Sequence, residues 1–285
     1  MAITVAMIND LRQRTNAGMM DCKKALTDTN GDMDAAIKIL REKGLAIQVK
    51  RADKESKQGI IQAKASADGK TVALAEVNTE TDFVAATDNF KNFVSLVADK
   101  ALELGDVEAV AGALKEELMT IVSQTGENVK ISRTARYELD GTGVLASYIH
   151  MGGKIAVMVE VGATKAETLV APAFAECVHD LTLQIAASAP RFITSAEVPA
   201  EDIEKEKDVY RNSDDLKNKP ANILEGILKG KLNKFFGEIC LVDQLFVKNG
   251  PGEKTTIAQL LAKIGKDLGD TITVKRFVRF QLGAK

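Results

Sequence analysis

The stretch "GIIQAKASADGKTVALAEVN", residues 59–78, decides the fold of this chain. Two runs with alternating apolar residues flank Asp68-Gly69, and an Asp-Gly pair in that setting is a strong signal for a β-hairpin. A second pair of runs, "GVLASYIHMGGKIAVMVEV" at 143–161, surrounds Gly152-Gly153. Helical patterns follow both pairs. The hairpin-then-helix order therefore occurs twice, as a repeat of architecture rather than of sequence, and predicts an α+β protein with two related subdomains and antiparallel sheets.

Helical periodicity follows each hairpin. Residues 88–104 predict a helix with Thr87 as its N-cap. Its apolar face would carry Phe90, Phe93, Val94, Val97 and Ala101. More helix is predicted across 107–126 and from about 165 to 187.

The last part of the chain predicts one more helix and a strand. Pro220 opens an amphipathic helix whose face carries Leu224, Ile227, Leu228 and Phe235. The alternating segment "TITVKRFVRFQL", residues 271–282, predicts a final strand.

The N-terminal segment predicts three short helices, which together would give a helical unit with a core that is marginal alone. Thr4 is the expected N-cap of the first helix and Gly18 its end. Asp32 is the expected N-cap of the third helix and Gly44 its end. Small helical units of this kind often serve as docking modules.

These patterns predict three domains. The helical unit would occupy 1–55, since a charged, apolar-poor segment follows it. The first α+β subdomain would occupy 56–140 and the second 141–285. A stretch dense in charge at about 200–219 predicts a helical projection from the second subdomain.

Composition and charge argue against several classes of protein. The chain has 285 residues, 45% of them apolar, and a net charge of −2, which supplies a core and argues against a general nucleic-acid binder. Cys22, Cys177 and Cys240 are too widely spaced for a disulfide framework or a zinc cluster. No apolar run suits a membrane span or a secretory signal. No motif indicates a catalytic residue, a metal or a cofactor, so we expect a cytoplasmic docking protein rather than an enzyme.

The loop "NTETDFVAAT", residues 78–87, leaves two interpretations open for its apolar pair. In one, Phe83 packs as a hydrophobic staple at the start of the helix that follows Thr87. In the other, Phe83 enters a partner as an apolar wedge. Asp82 fits a turn or cap residue in the first interpretation.

Four further residues have an ordinary interpretation beside a functional one. Met19 and Met20 fit a small core or, where exposed, an adaptable contact surface. Lys23 fits a solvated helix charge, and His150 fits a polar neighbour of a glycine turn.

Two motifs favour the functional interpretations of these residues over the ordinary ones. They are "LRQRTNAGMMDCKKAL" at 11–26 and "EVNTETDFVA" at 76–85. In this order and at this distance they resemble the two signatures of the bacterial elongation factor Ts family. The likeness continues in "SYIHMGGKIAV" at 147–157, "KPANILEGILKGKLNKFFGE" at 219–238 and "RFVRFQLG" at 276–283. It covers nearly the whole chain.

The resemblance implies a guanine-nucleotide exchange factor that binds elongation factor Tu, a GTPase, and promotes release of GDP with displacement of Mg²⁺. It also implies an N-terminal domain of ubiquitin-associated type and a projection used for dimerisation, so that a homodimer or a two-to-two complex is compatible with the family. No direct nucleic-acid or membrane partner is implied. The loop expected beside the partner's magnesium site consists of Thr81, Asp82, Phe83 and Val84. Further contacts are expected from Met19, Met20, Lys23, His150, Phe246 and Val247.

The sequence departs from the family pattern in places. Ala86 stands where Lys or Arg is usual, Asn218 where Gly is usual and Leu245 where Pro is usual. The chain ends "LGAK", where some members continue with a helix that touches the partner. A protein that binds the GTPase without effective exchange is therefore kept as an alternative. An RNA-binding helical module is disfavoured by the near-neutral charge and the few aromatic residues.

Overall fold

Two three-stranded antiparallel sheets with surrounding helices organise the part of the chain that this computed structural model describes, residues 2–15, 17–51, 53–211 and 221–284. The strands are β1 Gln58–Ala65, β2 Thr71–Thr79, β3 Lys130–Glu138, β4 Gly143–His150, β5 Ile155–Gly162 and β6 Thr273–Gln281. The helices are α1 Val5–Thr15, α2 Met19–Asp28, α3 Met33–Arg51, α4 Asp82–Ala85, α5 Asp88–Leu104, α6 Val107–Ala113, α7 Lys115–Thr125, α8 Pro172–Ser188, α9 Ala200–Arg211, α10 Ala221–Ile239 and α11 Ile257–Leu268. The predicted α+β class is confirmed.

The first sheet has the order β1-β2-β3, with both pairs antiparallel. The predicted hairpin forms around Gly69, whose φ of 68° suits a residue without a side chain. Asp68 Oδ1 accepts a hydrogen bond from the Lys70 amide at 3.0 Å, which closes the turn. The central strand β2 is almost entirely buried. β3 was not predicted, because charged and small residues interrupt its alternation.

Helix α5, which was predicted over the same residues, covers the first sheet. Thr87 caps it by accepting a hydrogen bond from the Phe90 amide at 3.4 Å. All members of the predicted apolar face are buried: Phe90, Phe93, Val94, Val97 and Ala101. They share one core with the buried face of α7 and with β2. This packing fixes the direction in which the chain leaves β2 to reach α5.

The second sheet has the order β4-β5-β6. Its hairpin and the strand β6 are those predicted, and α8 follows after a short 3-10 helix, Ala166–Val170. Helix α11 was not predicted. Its N-terminus is a capping box, in which Thr256 Oγ1 accepts from the Gln259 amide and the Gln259 side chain accepts from the Thr256 amide. The sequence therefore carries a start signal for α11.

The three predicted N-terminal helices are present as α1, α2 and α3. Thr4 Oγ1 caps α1 through the Met7 amide at 3.2 Å, and Asp32 Oδ1 caps α3 through the Ala35 amide at 3.0 Å. Both caps are those predicted. The buried residues that join the three helices are Ile8, Leu11, Cys22, Ala25, Leu26, Ala36 and Leu40.

Both predicted glycine ends of these helices are wrong. Gly18 does not end α1, which stops at Thr15; it is the N-cap residue of α2, with an ordinary φ of −60°. Helix α3 runs through Gly44 to Arg51. A Cβ at Gly44 would lie 2.2 Å from the carbonyl oxygen of Met119 in α7. This glycine therefore permits a close helix–helix contact.

The chain divides into two compact units. The first comprises Met1–Glu138, Ile149–Ala156 and Phe280–Lys285, and the second comprises Leu139–Tyr148 and Val157–Arg279. The three predicted domain ranges are not tested by this division and stay a prediction.

The predicted projection is described in part. Its first half forms α9, whereas residues 212–220, among them Asn218 and Pro220, lie outside the described residues. The following helix α10 is present from Ala221; Leu228 is buried, Ile227 and Phe235 are half-buried, and the Leu224 side chain lies outside the description.

Candidate functional site

The loop between β2 and α5 contains a single helical turn, α4. Thr81 caps it by accepting a hydrogen bond from the Val84 amide at 3.3 Å, and Thr87 Oγ1 closes it by donating to the Val84 carbonyl at 2.7 Å. Ala85 is buried in the core under α5. Since this side of the turn faces the core, Phe83 lies on the other side, where its side chain is 83% exposed.

The exposure of Phe83 contradicts the staple interpretation. A staple requires the side chain to pack at the start of α5, and Val84 and Ala85 occupy that position instead. Asp82 is also exposed, in the first turn of α4, and the cap itself is Thr81. The turn therefore presents a carboxylate and an aromatic ring to solvent side by side.

One carboxylate fastens this turn to the rest of the first unit. Glu127 Oε2 accepts hydrogen bonds from Thr79 Oγ1 at 2.7 Å, from the Glu80 amide at 3.0 Å and from the Thr81 amide at 3.0 Å. Glu127 Oε1 accepts from Thr81 Oγ1 at 2.6 Å. The residue that caps α4 is thus itself held by Glu127.

A second carboxylate fastens the same loop to the end of α3 and to the residue after Glu127. Glu80 accepts two hydrogen bonds from the Arg51 guanidinium, from Nε and Nη2, both at 2.7 Å, and one from the Asn128 amide at 2.7 Å. The bond from Arg51 lowers the pKa of Glu80 below its usual value, against the opposing effect of burial. Because Glu127 holds the Glu80 amide while Glu80 holds the Asn128 amide, the two segments fix each other.

The α2 residues expected at the interface are exposed. Met19 is 51% and Met20 73% exposed, and Lys23 is exposed as well. The opposite face of α2 is buried and carries Cys22. The two methionines therefore do not belong to the small core of the three helices.

His150 is exposed at the end of β4, next to Met151, which is 65% exposed and has a φ of 51°. The turn that follows is held by a hydrogen bond from the Ile61 amide to the Gly153 carbonyl at 2.8 Å. This hairpin tip belongs to the first unit, as the Phe83 turn does. Met151 lines a cleft with Gln58, and Gln58 pairs with Thr79, so the tip lies at the end of the sheet from which the turn leaves.

Phe246 and Val247 lie in the second unit, on a segment that α8 holds. The Gln184 side chain donates to the Leu245 carbonyl at 3.2 Å and accepts from the Val247 amide at 2.8 Å. Val247 is 43% exposed, whereas Phe246 is half-buried. The structure therefore places the predicted contact residues on both units.

Two features of the described residues bear on metal binding and on thiol chemistry. Among them, no group of three or more His, Cys, Asp or Glu side chains is placed to hold a metal ion. The cysteines are buried thiols, and burial raises the pKa of Cys177 to about 12 and that of Cys240 to about 11. Within the same part of the chain, no helix is both long and apolar enough to cross a membrane.

Comparisons with known proteins show the family of this chain. The family model described as "Elongation factor TS" matches residues 80–284. The chain belongs to the elongation factor Ts family. A relative named "Elongation factor Ts" from Trichlorobacter lovleyi is 41% identical over 99% of this chain and 93% of its own length. Relatives of the same name from Nitratidesulfovibrio vulgaris and Bdellovibrio bacteriovorus are each 42% identical, over 99% and 100% of this chain and over 96% and 94% of their own lengths. The protein is therefore a translation elongation factor.

In this elongation factor Ts family member, sequence reasoning missed the residues that hold the loop between β2 and α5. Glu80 lies inside the quoted signature, but its role depends on Arg51, 29 positions earlier, and on Asn128, 48 positions later. Glu127 lies 46 positions after Thr81. A single sequence gives no signal for contacts over such distances.

Proposed function

We propose that this protein is a guanine-nucleotide exchange factor for elongation factor Tu, which binds the GDP form of that GTPase and promotes GDP release with displacement of Mg²⁺. The observation that supports this most directly is the exposed Phe83 on a turn fixed by Glu127 and Glu80. An aromatic ring kept out of the core on a fixed support is typical of residues that anchor protein interfaces.

The exposed surface of Phe83 sets the size of the effect. A phenylalanine offers roughly 200 Å², so an exposure of 83% leaves about 165 Å² for a partner. Burying that area is worth about 4 kcal/mol at 25 cal/mol/Å². If the ring fits only a conformation of the GTPase in which the magnesium site is displaced, this energy favours that conformation by up to about a thousandfold over the GDP-bound one.

Asp82 would act beside the ring. GDP on a GTPase is held by backbone donors around its phosphates and by Mg²⁺, which neutralises charge between them. A carboxylate brought next to that metal competes for the groups that order its water shell. The nucleotide then leaves because its binding free energy has fallen. No covalent bond is made or broken, so the protein acts by linkage and not as an enzyme in the chemical sense.

The remaining predicted contact residues would supply affinity for the partner. We propose that Met19, Met20 and Lys23 on α2, His150 on the hairpin tip, and Phe246 and Val247 on the second unit form further contacts with elongation factor Tu. Either a one-to-one or a two-to-two complex is compatible with this arrangement. The site of action would be the cytoplasm, and neither a nucleic acid nor a membrane is required as a direct partner.

Release of a fluorescent GDP analogue from the cognate elongation factor Tu tests the proposal. Substoichiometric amounts of this protein should accelerate release many-fold, and Phe83→Ala should remove most of the acceleration. The matched control is Val170→Ala, which shortens another apolar side chain that is 83% exposed, in the second unit. Formation of a complex without acceleration would contradict exchange and favour a protein that only binds the GTPase.

A further inference from the structure

We propose that Glu127 is a positioning residue for nucleotide exchange, which holds the Asp82-Phe83 turn in the conformation that enters the GTPase. This inference rests on the proposed exchange function. It requires no contact between Glu127 and the partner, because the carboxylate acts on the turn through hydrogen bonds within the first unit.

The geometry requires a carboxylate at this position. Four donors converge on the two oxygens of Glu127, at 2.6–3.0 Å: two backbone amides and two threonine hydroxyls. An ionised carboxylate offers about four acceptor sites and no donor, so it can satisfy all of them. A glutamine would replace one acceptor oxygen by an amide nitrogen. A shorter or apolar side chain would leave the amides of Glu80 and Thr81 without these bonds.

Glu127 stands on a connection that is itself fixed. The preceding residue, Gly126, ends α7 with a φ of 69°, and its amide donates to the Val122 carbonyl. The Glu127 amide donates to Thr125 Oγ1 at 3.3 Å, and β3 begins three residues later at Lys130. The turn that carries Phe83 is therefore fastened to the helix and the strand of the core, rather than only to its own loop.

A fixed turn matters because the proposed wedge acts only in one position. A loop that must become ordered when it meets the partner loses binding free energy to that ordering. Other exposed residues, such as Met20, can still hold the partner when the turn is loose. Loss of Glu127 should therefore slow the exchange step more than it weakens complex formation.

GDP release measured against increasing concentration of this protein separates these effects. With Glu127→Ala we expect the maximal release rate to fall by about tenfold or more, because several hydrogen bonds to the turn are lost together. The concentration that gives half of the maximal rate should change by less than about threefold. Glu127→Gln keeps one acceptor oxygen and should give an intermediate rate, which also covers the case in which the alanine variant does not fold.

A double-mutant cycle with Phe83→Ala decides whether Glu127 acts through the turn. If it does, Glu127→Ala should slow release little further once Phe83 is absent. The matched control is Asp68→Ala, which removes a hydrogen-bonded carboxylate from the turn at the other end of β2. This substitution should leave the rate of GDP release unchanged.

Amide hydrogen exchange tests the hydrogen bonds between Glu127 and the turn in the absence of the GTPase. The Glu80 and Thr81 amides should exchange at least about tenfold faster in Glu127→Ala and at the unsubstituted rate in Asp68→Ala. Unchanged protection of these amides, unchanged GDP release in Glu127→Ala, or additive effects of the Glu127 and Phe83 substitutions would each overturn the inference. No acceleration by the unsubstituted protein would overturn the exchange function and the inference with it. Acceleration that Glu127→Ala leaves intact would overturn the inference alone.

Discussion

Gly44→Ala should destabilise this protein, although a glycine-to-alanine change inside a helix is normally favourable. Gly44 lies within α3 against α7, and a Cβ there would be 2.2 Å from the Met119 carbonyl oxygen and 3.3 Å from Ser123 Cβ. A carbonyl of the backbone cannot rotate away as a flexible side chain would. The two helices must therefore separate by about 1 Å at this point to restore an ordinary contact.

The expected change in stability for Gly44→Ala is the difference between two opposing free energies. Alanine gains about 1 kcal/mol over glycine inside a helix. Overpacking typically costs about 1–3 kcal/mol, and the upper end applies at Gly44 because the obstacle is backbone. The net expectation is a loss of about 2 kcal/mol from the free energy of unfolding. Arg51 ends the same helix and holds Glu80, so nucleotide exchange should slow as well.

Urea unfolding followed by circular dichroism measures the change in stability, and Gly230→Ala is the matched control. Gly230 lies inside α10, where a Cβ would meet no atom within 4 Å, so its substitution should stabilise by up to about 1 kcal/mol. If Gly44→Ala stabilised the protein as Gly230→Ala does, the close contact of α3 with α7 would be refuted.

Three further outcomes follow from burial and charge. Phe90→Ala should cost about 3–5 kcal/mol of stability in urea unfolding, whereas Phe83→Ala should cost less than about 1 kcal/mol, since Phe90 is fully buried and Phe83 is 83% exposed. The pKa of Glu80 is lowered from 4.5 by its bond to Arg51, so this pair stabilises the fold above that pH and the contribution is lost as pH falls through the lower folded value. The difference in urea midpoint between the unsubstituted protein and Arg51→Ala should therefore narrow on acidification below about pH 4.5. Cys177, with a pKa of about 12, should react with a chromogenic disulfide reagent at pH 8 only when urea unfolds the protein, as absorbance would show.

Local signals in the sequence predicted most of the fold. Asp68-Gly69 predicted the first hairpin correctly because an Asp-Gly turn depends little on contacts with distant residues. Thr87 gave the start of α5 for the same reason, since a cap bonds within one turn of its helix. Gly44 shows the limit of such rules. A glycine signals either a helix end or a close approach, and only the packing partner, here Met119, distinguishes the two.

Only part of the candidate site could be predicted from the sequence. The family signature singled out Phe83, and the structure then showed that its ring is exposed rather than packed. The support of the turn could not be predicted, because Glu127, Glu80 and Arg51 come from three separate parts of the chain. Their pairing depends on how β2, β3 and the end of α3 meet, which is a property of the folded core.

The two α+β repeats have equivalent residues as well as the same architecture, and an insertion in the second repeat hides this equivalence in the sequence. In the first unit, Arg133 pairs with buried Glu76 on the central strand at 2.7 Å, and Arg136 donates to the Leu102 carbonyl near the end of α5, also at 2.7 Å. In the second unit, Arg276 pairs with buried Glu160 on the central strand at 2.7 Å, and Arg279 donates to the Ala186 carbonyl near the end of α8 at 3.2 Å.

The residue spacings show why the two repeats correspond and why the correspondence is hard to see in the sequence. The helix carbonyl lies 26 residues after the buried glutamate in each repeat, and the two arginines are three residues apart in each. The first arginine, however, follows that carbonyl by 31 residues in the first repeat and by 90 in the second, where α9, α10 and α11 intervene. In both repeats one edge strand neutralises the buried carboxylate and satisfies a terminal carbonyl of the covering helix, which would otherwise lack a partner. Each sheet thus fixes its own helix by the same pair of arginines, and only the first repeat adds the turn that carries Phe83.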